Sequence, residues 1–306
     1  NTLTFSGVVS LVGSSLGDIF NVTGAHPASI DAGDGDDQII LLTDASNLTG
    51  TIDGGAGSAD AFDLSNLTVD RTIDSTTLTN IEVLIGTSGN DTLTGSVAGS
   101  VFQVTGDNSG TVDATLSFTS IGNLQGGIGA DTLDLASLAT TRYIQLSAVN
   151  STGFSGVDAA ITSFSGIDTI RATALAGDSV TGLNAVATFN LDGMPTYSAG
   201  GGTLALSNFE VYTGNADQDT LLITGTQSAT ANGGDGDDSI SFADGAVLNG
   251  VFSGGGGSDT VDLGNYTSPL AFELTALGTT DGFQIQASGP LGTAADSVDA
   301  VIGGSG

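Results

Sequence analysis

Cysteine is absent from this 306-residue chain, and so is lysine. Without cysteine there are no disulfides and no thiolate metal sites. Positive charge is confined to Arg71, Arg142 and Arg171, and the formal net charge is −31. Nucleic acid is therefore not expected as a partner. Basic residues are also what a polyuronate lyase or epimerase uses to bind its anionic sugar and abstract a proton, so that machinery is nearly missing. The one histidine, His26, stands beside Pro27 in a loop segment and reads as structural. Aromatics are limited to 13 Phe and 4 Tyr. Phe20, Phe62, Phe242 and Phe252 follow turns on strands, where core packing is the default over sugar stacking. No apolar run approaches the ~18 residues of a membrane span, and no signal peptide opens the chain. Only four prolines accompany 48 glycines, without a collagen period.

What is abundant is Gly and Asp. Of 34 acidic residues only three, Glu82, Glu210 and Glu273, are Glu, which leaves 31 Asp. Short carboxylates suit turns, where the side chain must reach a nearby cation or backbone amide. An acidic solubilising coat is the alternative, but charged residues make up only 12% of the chain. The mean hydropathy of +0.23 argues against disorder.

The Asp and Gly recur in one pattern. Gly233-Gly234-Asp235-Gly236-Asp237-Asp238-Ser239-Ile240-Ser241 has the shape G-G-x-G-x-D-x-U-x. Gly254-Gly255-Gly256-Gly257-Ser258-Asp259-Thr260-Val261-Asp262 and Gly126-Gly127-Ile128-Gly129-Ala130-Asp131-Thr132-Leu133-Asp134 repeat it. Gly33-Asp34-Gly35-Asp36-Asp37 is a near match, and Gly54-Gly55-Ala56-Gly57-Ser58-Ala59-Asp60 carries one extra residue. Gly86-Thr87-Ser88-Gly89-Asn90-Asp91 lacks the paired glycines, and residues 13–18 match least.

Self-comparison gives a longer period. Residues 13–24 align with 214–225, and 33–39 with 234–240, at an offset of 201. Inside it, a strand-into-turn signature recurs at residues 78–86, 118–126, 164–171 and 206–214, with a looser copy at 5–13. Turns follow one another about every 20 residues, too close for a βαβ crossover. No stretch carries a helical period with caps.

These observations predict an all-β fold, a right-handed parallel β-helix (β-solenoid) with coils of about 20 residues and Gly/Asp-rich calcium-binding turns. Residues 1–137 are expected to form coils with such turns. Residues 138–202 form wider, less regular coils of the same solenoid, with a separate domain as the alternative. Residues 203–306 begin a second copy of the ~200-residue repeat. Residues 301–306 match 84–89 and stop in mid-motif, which predicts a section of a larger protein.

Ca²⁺ takes six to eight oxygens from carboxylates and carbonyls, which such turns supply. The expected ligands are Asp34, Asp36, Asp37, Asp60, Asp217, Asp219, Asp235, Asp237, Asp238 and Asp259. Asn90, Asp91 and Asp131 are added from more isolated turns. Ordinary Asp/Gly turns needing no ion are the alternative.

The motifs resemble the haemolysin-type, or RTX, calcium-binding repeats of secreted bacterial proteins. The resemblance implies Ca²⁺ binding by the Asp at the sixth position, here Asp131, Asp238 and Asp259, with Asp37 in a near match. RTX repeats run in tandem every nine residues, whereas these recur every 20 or more. That spacing is more like large surface proteins, adhesins and S-layer-type proteins. The implied role is a non-enzymatic extracellular or cell-surface structural section of a fibre, sheath, S-layer or adhesin stalk. Its partners would be copies of itself, head to tail or laterally, and a cell-surface glycan, without membrane insertion. A polysaccharide-modifying β-helix enzyme and a glycan-binding module stand as alternatives. Six Asn-x-Ser/Thr sequons occur, at Asn21, Asn47, Asn66, Asn90, Asn150 and Asn265.

Overall fold

Alternation of apolar and polar residues every second position dictates short strands with one buried face. The computed structural model describes residues 7–305 and is all-β, with long parallel-strand sheets. Among the described residues the one helical segment is a single 3₁₀ turn, Ser75–Thr77. The looser signature copy at 5–13 opens outside the described residues; its end forms strand Ser10–Val12. The chain divides into two compact units, residues 1–133 with 160–164, and residues 134–159 with 165–306.

In the first unit, Ile19–Val22, Gln38–Leu41, Ala61–Asp63 and Val83–Ile85 pair in parallel. Their register places Phe20, Ile39, Phe62 and Leu84 in one row, and all but the end residue Phe20 are buried. A second parallel set joins Ser10–Val12, Ser29–Asp31, Ile52–Asp53 and Leu78–Thr79. A third joins Thr72–Asp74, Thr92–Thr94 and Asn123–Gln125, with Ile73, Leu93 and Leu124 in register and buried.

The second unit repeats the arrangement. Asp219–Ile223, Ser239–Phe242 and Thr260–Asp262 pair in parallel, and Leu221, Ile240 and Val261 form a fully buried row. A second parallel set aligns Ile144, Val180, Tyr212, Ala231, Phe252 and Ala295. Positions 201 apart take the same pairing: Phe20 with Ile39, and Leu221 with Ile240.

Parallel pairing is not universal. Val101–Gly106, Ser109–Val112 and Leu116–Thr119 form an antiparallel meander in the first unit. In the second, Tyr143–Asn150 with Gly153–Asp158, and Ala187–Leu191 with Thr196–Ala199 and Gly202–Ser207, do the same. These excursions are why residues 138–202 lack the 20-residue rhythm. They add aromatic mass: the Tyr197 ring lies 4.7 Å from Phe189 and 5.7 Å from Phe154. The buried Tyr197 hydroxyl accepts the Leu183 amide at 2.7 Å. Arg142 is buried and ion-paired with Asp158 at 2.6 Å.

Candidate metal centre

The Gly/Asp motif is a corner between two sheets, rather than a free loop. Its first half is still strand, with Gly234 opposite Gly255 and Asp235 opposite Gly256 in Thr230–Asp235 and Phe252–Gly256. The chain bends at residues 236–238 and enters Ser239–Phe242. Glycine is dictated by closeness. At Gly255 (φ +112°) a Cβ would lie 1.8 Å from the carbonyl oxygen of Gly234 in the corner before it. At Gly233 a Cβ would lie 2.3 Å from Oδ2 of Asp238, because that side chain folds back over the first glycine.

The sixth-position carboxylate links one corner to another. The Asp219 amide donates to Asp238 Oδ1 at 2.7 Å, the Asp238 amide to Asp259 Oδ1 at 2.9 Å, and the Asp259 amide to Asp299 Oδ2 at 3.0 Å. In the first unit the Asp18 amide donates to Asp37 Oδ1 at 2.6 Å, Asp37 to Asp60 Oδ1 at 2.7 Å, and Asp60 to Glu82 Oε2 at 2.9 Å. Asp91 accepts the Arg71 and Thr87 amides, each at 2.6 Å. Asp131 accepts the Ser100 amide at 2.7 Å and the Gly127 amide at 2.9 Å. Asp37, Asp60, Asp91, Asp131, Asp219, Asp238 and Asp259 are all buried.

The remaining expected ligands face outward. Asp34, Asp36, Asn90, Asp217, Asp235 and Asp237 are exposed. Two of them cap a neighbouring corner: Asp36 Oδ1 accepts the Ser58 amide and Asp237 Oδ1 the Ser258 amide, both at 2.9 Å. The Ser58 bonds hold the Asp36 carboxyl below its ordinary range.

Burial has the opposite effect on the inward carboxylates. It pushes Asp238 up to about 7, and Asp219 and Asp259 up to about 6, with neighbouring carboxylates adding repulsion. Asp37 and Asp60 are raised for the same reasons. One oxygen of each of Asp37, Asp60, Asp238 and Asp259 is buried without a hydrogen-bond partner. Such an oxygen carries the full desolvation cost of the group unless a proton or cation meets it. The donor set, carboxylate oxygen beside stacked backbone carbonyls, has the chemistry of a hard cation such as Ca²⁺.

Convergence is more restricted than the sequence suggests. Among the described residues one trio of acidic side chains, Asp259, Asp281 and Asp299, brings an oxygen from each within 4.8 Å of the others. Of the thirteen expected ligands only Asp259 belongs to it. Glu82 and Glu210, in the matching Asn-x-Glu segments at 80–82 and 208–210, cap the corners at Asp60 and Asp178. Asp178 itself was missed because no paired glycines precede it. It accepts the Arg142 amide at 2.5 Å, and the run Asp178-Ser179-Val180 parallels Asp238-Ser239-Ile240.

The arginines are engaged where they stand. Arg71 donates to the carbonyls of Asp44 and Ser46, Arg142 pairs with Asp158, and Arg171 lies 3.5 Å from Asp134. No family model and no curated protein matches the chain.

Proposed function

We propose that this chain is a structural section of an extracellular or cell-surface repeat protein, a β-solenoid whose corners are clamped by Ca²⁺. The supporting observation is the amide-to-carboxylate series from Asp219 through Asp238 and Asp259 to Asp299. A catalytic carboxylate is held toward substrate. Asp238 and Asp259 are buried and spend one oxygen on the backbone of a neighbouring corner, which is the work of a clamp. Cations matched to the remaining oxygens relieve the repulsion of closely placed charges. Extracellular modules bind Ca²⁺ at ~10⁻⁴–10⁻³ M, where such a clamp is loaded outside the cell and released by chelation. No helix of the described residues is long and apolar enough to cross a membrane.

Stability in such a stack is close to a sum of neighbour terms. Copies of the same chain, stacked head to tail or laterally into a filament or lattice, are the proposed partners, with a surface glycan as a further one. Thermal melting by circular dichroism in millimolar CaCl₂ and in EDTA, with electron microscopy of both samples, tests the reading. A higher melting temperature and ordered assemblies in CaCl₂ are expected. Identical melting and no assembly in either buffer would overturn it.

A further inference from the structure

The second unit contains a carboxylate site that joins one corner of the repeated motif to two residues outside it. Asp259 comes from the corner at residues 254–262. Asp281 lies in the short connection between the antiparallel strands Phe272–Leu277 and Phe283–Ala287. Asp299 separates strands Ala295–Val298 and Ala300–Ile302. Three segments far apart in the sequence thus deliver one carboxylate oxygen each to a space where every oxygen is within 4.8 Å of the others.

Each carboxylate is oriented by the backbone. Asp259 Oδ1 accepts the Asp238 amide, Asp281 Oδ2 accepts the Gly257 amide at 3.2 Å, and Asp299 Oδ2 accepts the Asp259 amide. Two of these bonds hold the corner that carries Asp259. What is left over identifies a ligand. Asp259 is wholly buried and its Oδ2 has no hydrogen-bond partner, and Asp281 Oδ1 is likewise buried and unmatched. Three acidic groups with two orphaned buried oxygens carry a cost that no side chain among the described residues offsets. Ca–O bonds of 2.3–2.6 Å let one ion touch oxygens separated by up to about 5 Å, and Ca²⁺ accepts irregular geometry. Asp299 is exposed, which leaves an entry path and positions for water ligands.

We propose that Asp259, Asp281 and Asp299 form a Ca²⁺ site that fastens the 272–287 hairpin to the corner at 254–262. Six consecutive residues of strand Phe272–Leu277 are exposed, so the strand itself gains little from burial. The ion supplies an anchor at its tip. The proposal deepens the calcium reading given above and rests on it for the identity of the ion.

The test is a Ca²⁺ titration by isothermal calorimetry of the whole chain and of Asp281→Asn, each first stripped with chelator and dialysed. Asparagine keeps an acceptor for the Gly257 amide, so the fold is expected to survive. The expected result is loss of one equivalent of bound Ca²⁺, with the remaining equivalents unchanged. In parallel, hydrogen exchange at residues 278–282 should be slowed by Ca²⁺ in the parent chain and not in the variant. Should Asp281→Asn unfold, Asp299→Asn and terbium-soaked crystals of the parent chain read the same site, through an anomalous peak among the three carboxylates. Binding of Ca²⁺ with the same stoichiometry in both chains, or no peak at the trio, overturns this site alone. Binding of no Ca²⁺ by the parent chain overturns the calcium reading with it.

Discussion

The amide of Asp238 donates to the carboxylate of Asp259, 21 residues later, at 2.9 Å, while Asp238's own carboxylate accepts the amide of Asp219. Asp238 is thus both donor and acceptor in a relay across three corners. Asp238→Ala removes the acceptor and strands the buried Asp219 amide, a loss of about 1–3 kcal/mol. Asp238→Asn keeps the acceptor and deletes the charge. In EDTA at neutral pH the asparagine variant should melt above the parent chain and the alanine variant below it. Chemical denaturation of the three proteins side by side checks the order, and equal destabilisation by Asn and Ala would contradict it.

The same carboxylates fix a pH dependence. Burial raises Asp238 to about 7 and Asp219 and Asp259 to about 6, from an ordinary 3.8. Between those values the folded chain holds protons that the unfolded chain has released, so raising the pH favours unfolding. In EDTA the melting temperature should fall from pH ~4.5 to ~7.5 and then level off. Exposed Asp36, Asp44 and Asp244 are held low by bonds from Ser58, Thr68 and Thr267, and act only below that window. A melting temperature that rises across the window would contradict the assignment. Saturating Ca²⁺ should flatten the decline, because the ion takes the place of the proton.

The strands and corners were legible in the sequence because both follow local rules. Alternation gave Ser239–Phe242, and paired glycines with a sixth-position Asp gave the corner before it. The 201-residue offset located the equivalent corner at Asp37. Three things were not legible. The antiparallel excursions, such as Gly202–Ser207 on Thr196–Ala199, are strands by the same alternation, and pairing direction leaves no mark in it. Asp299 acts at a corner set by a neighbouring strand, and Glu82 is marked only by the Asn-x-Glu segment it shares with Glu210, which does not say which corner it caps. The Asp259, Asp281 and Asp299 trio depends on a hairpin folding back, a contact no period encodes.

Glycine substitutions separate closeness from backbone conformation. Gly255→Ala places a Cβ 1.8 Å from the Gly234 carbonyl oxygen at a φ of +112°, where both clash and strain apply. Gly245 also has positive φ, +73°, with nothing within 4 Å of an added Cβ. Gly245→Ala should therefore cost only the left-handed penalty of about 1–2 kcal/mol, and Gly255→Ala distinctly more. Gly193, which has open space and no positive φ, should accept alanine with a gain of about 0.4–1 kcal/mol. Denaturant midpoints in EDTA give the order, and equal losses at 255 and 245 would mean that the corners are not packed backbone to backbone.

Arg142 tests whether the irregular region is held by charge. Its guanidinium is bidentate on Asp158, with Nη2 at 2.6 Å and Nε at 3.0 Å, and both side chains are almost wholly buried. Its amide also donates to Asp178, so the backbone beside it belongs to the corner network. Arg142→Met leaves the buried Asp158 carboxylate without its guanidinium, a loss of about 3–5 kcal/mol. Arg142→Met with Asp158→Leu removes both charges and should recover most of that loss, since a buried pair replaced by apolar groups of similar volume is near neutral. Ca²⁺ should raise the melting temperature of parent and double variant alike, because neither residue belongs to the carboxylate trio. A double variant no more stable than Arg142→Met would assign the pair a packing role that methionine and leucine cannot fill.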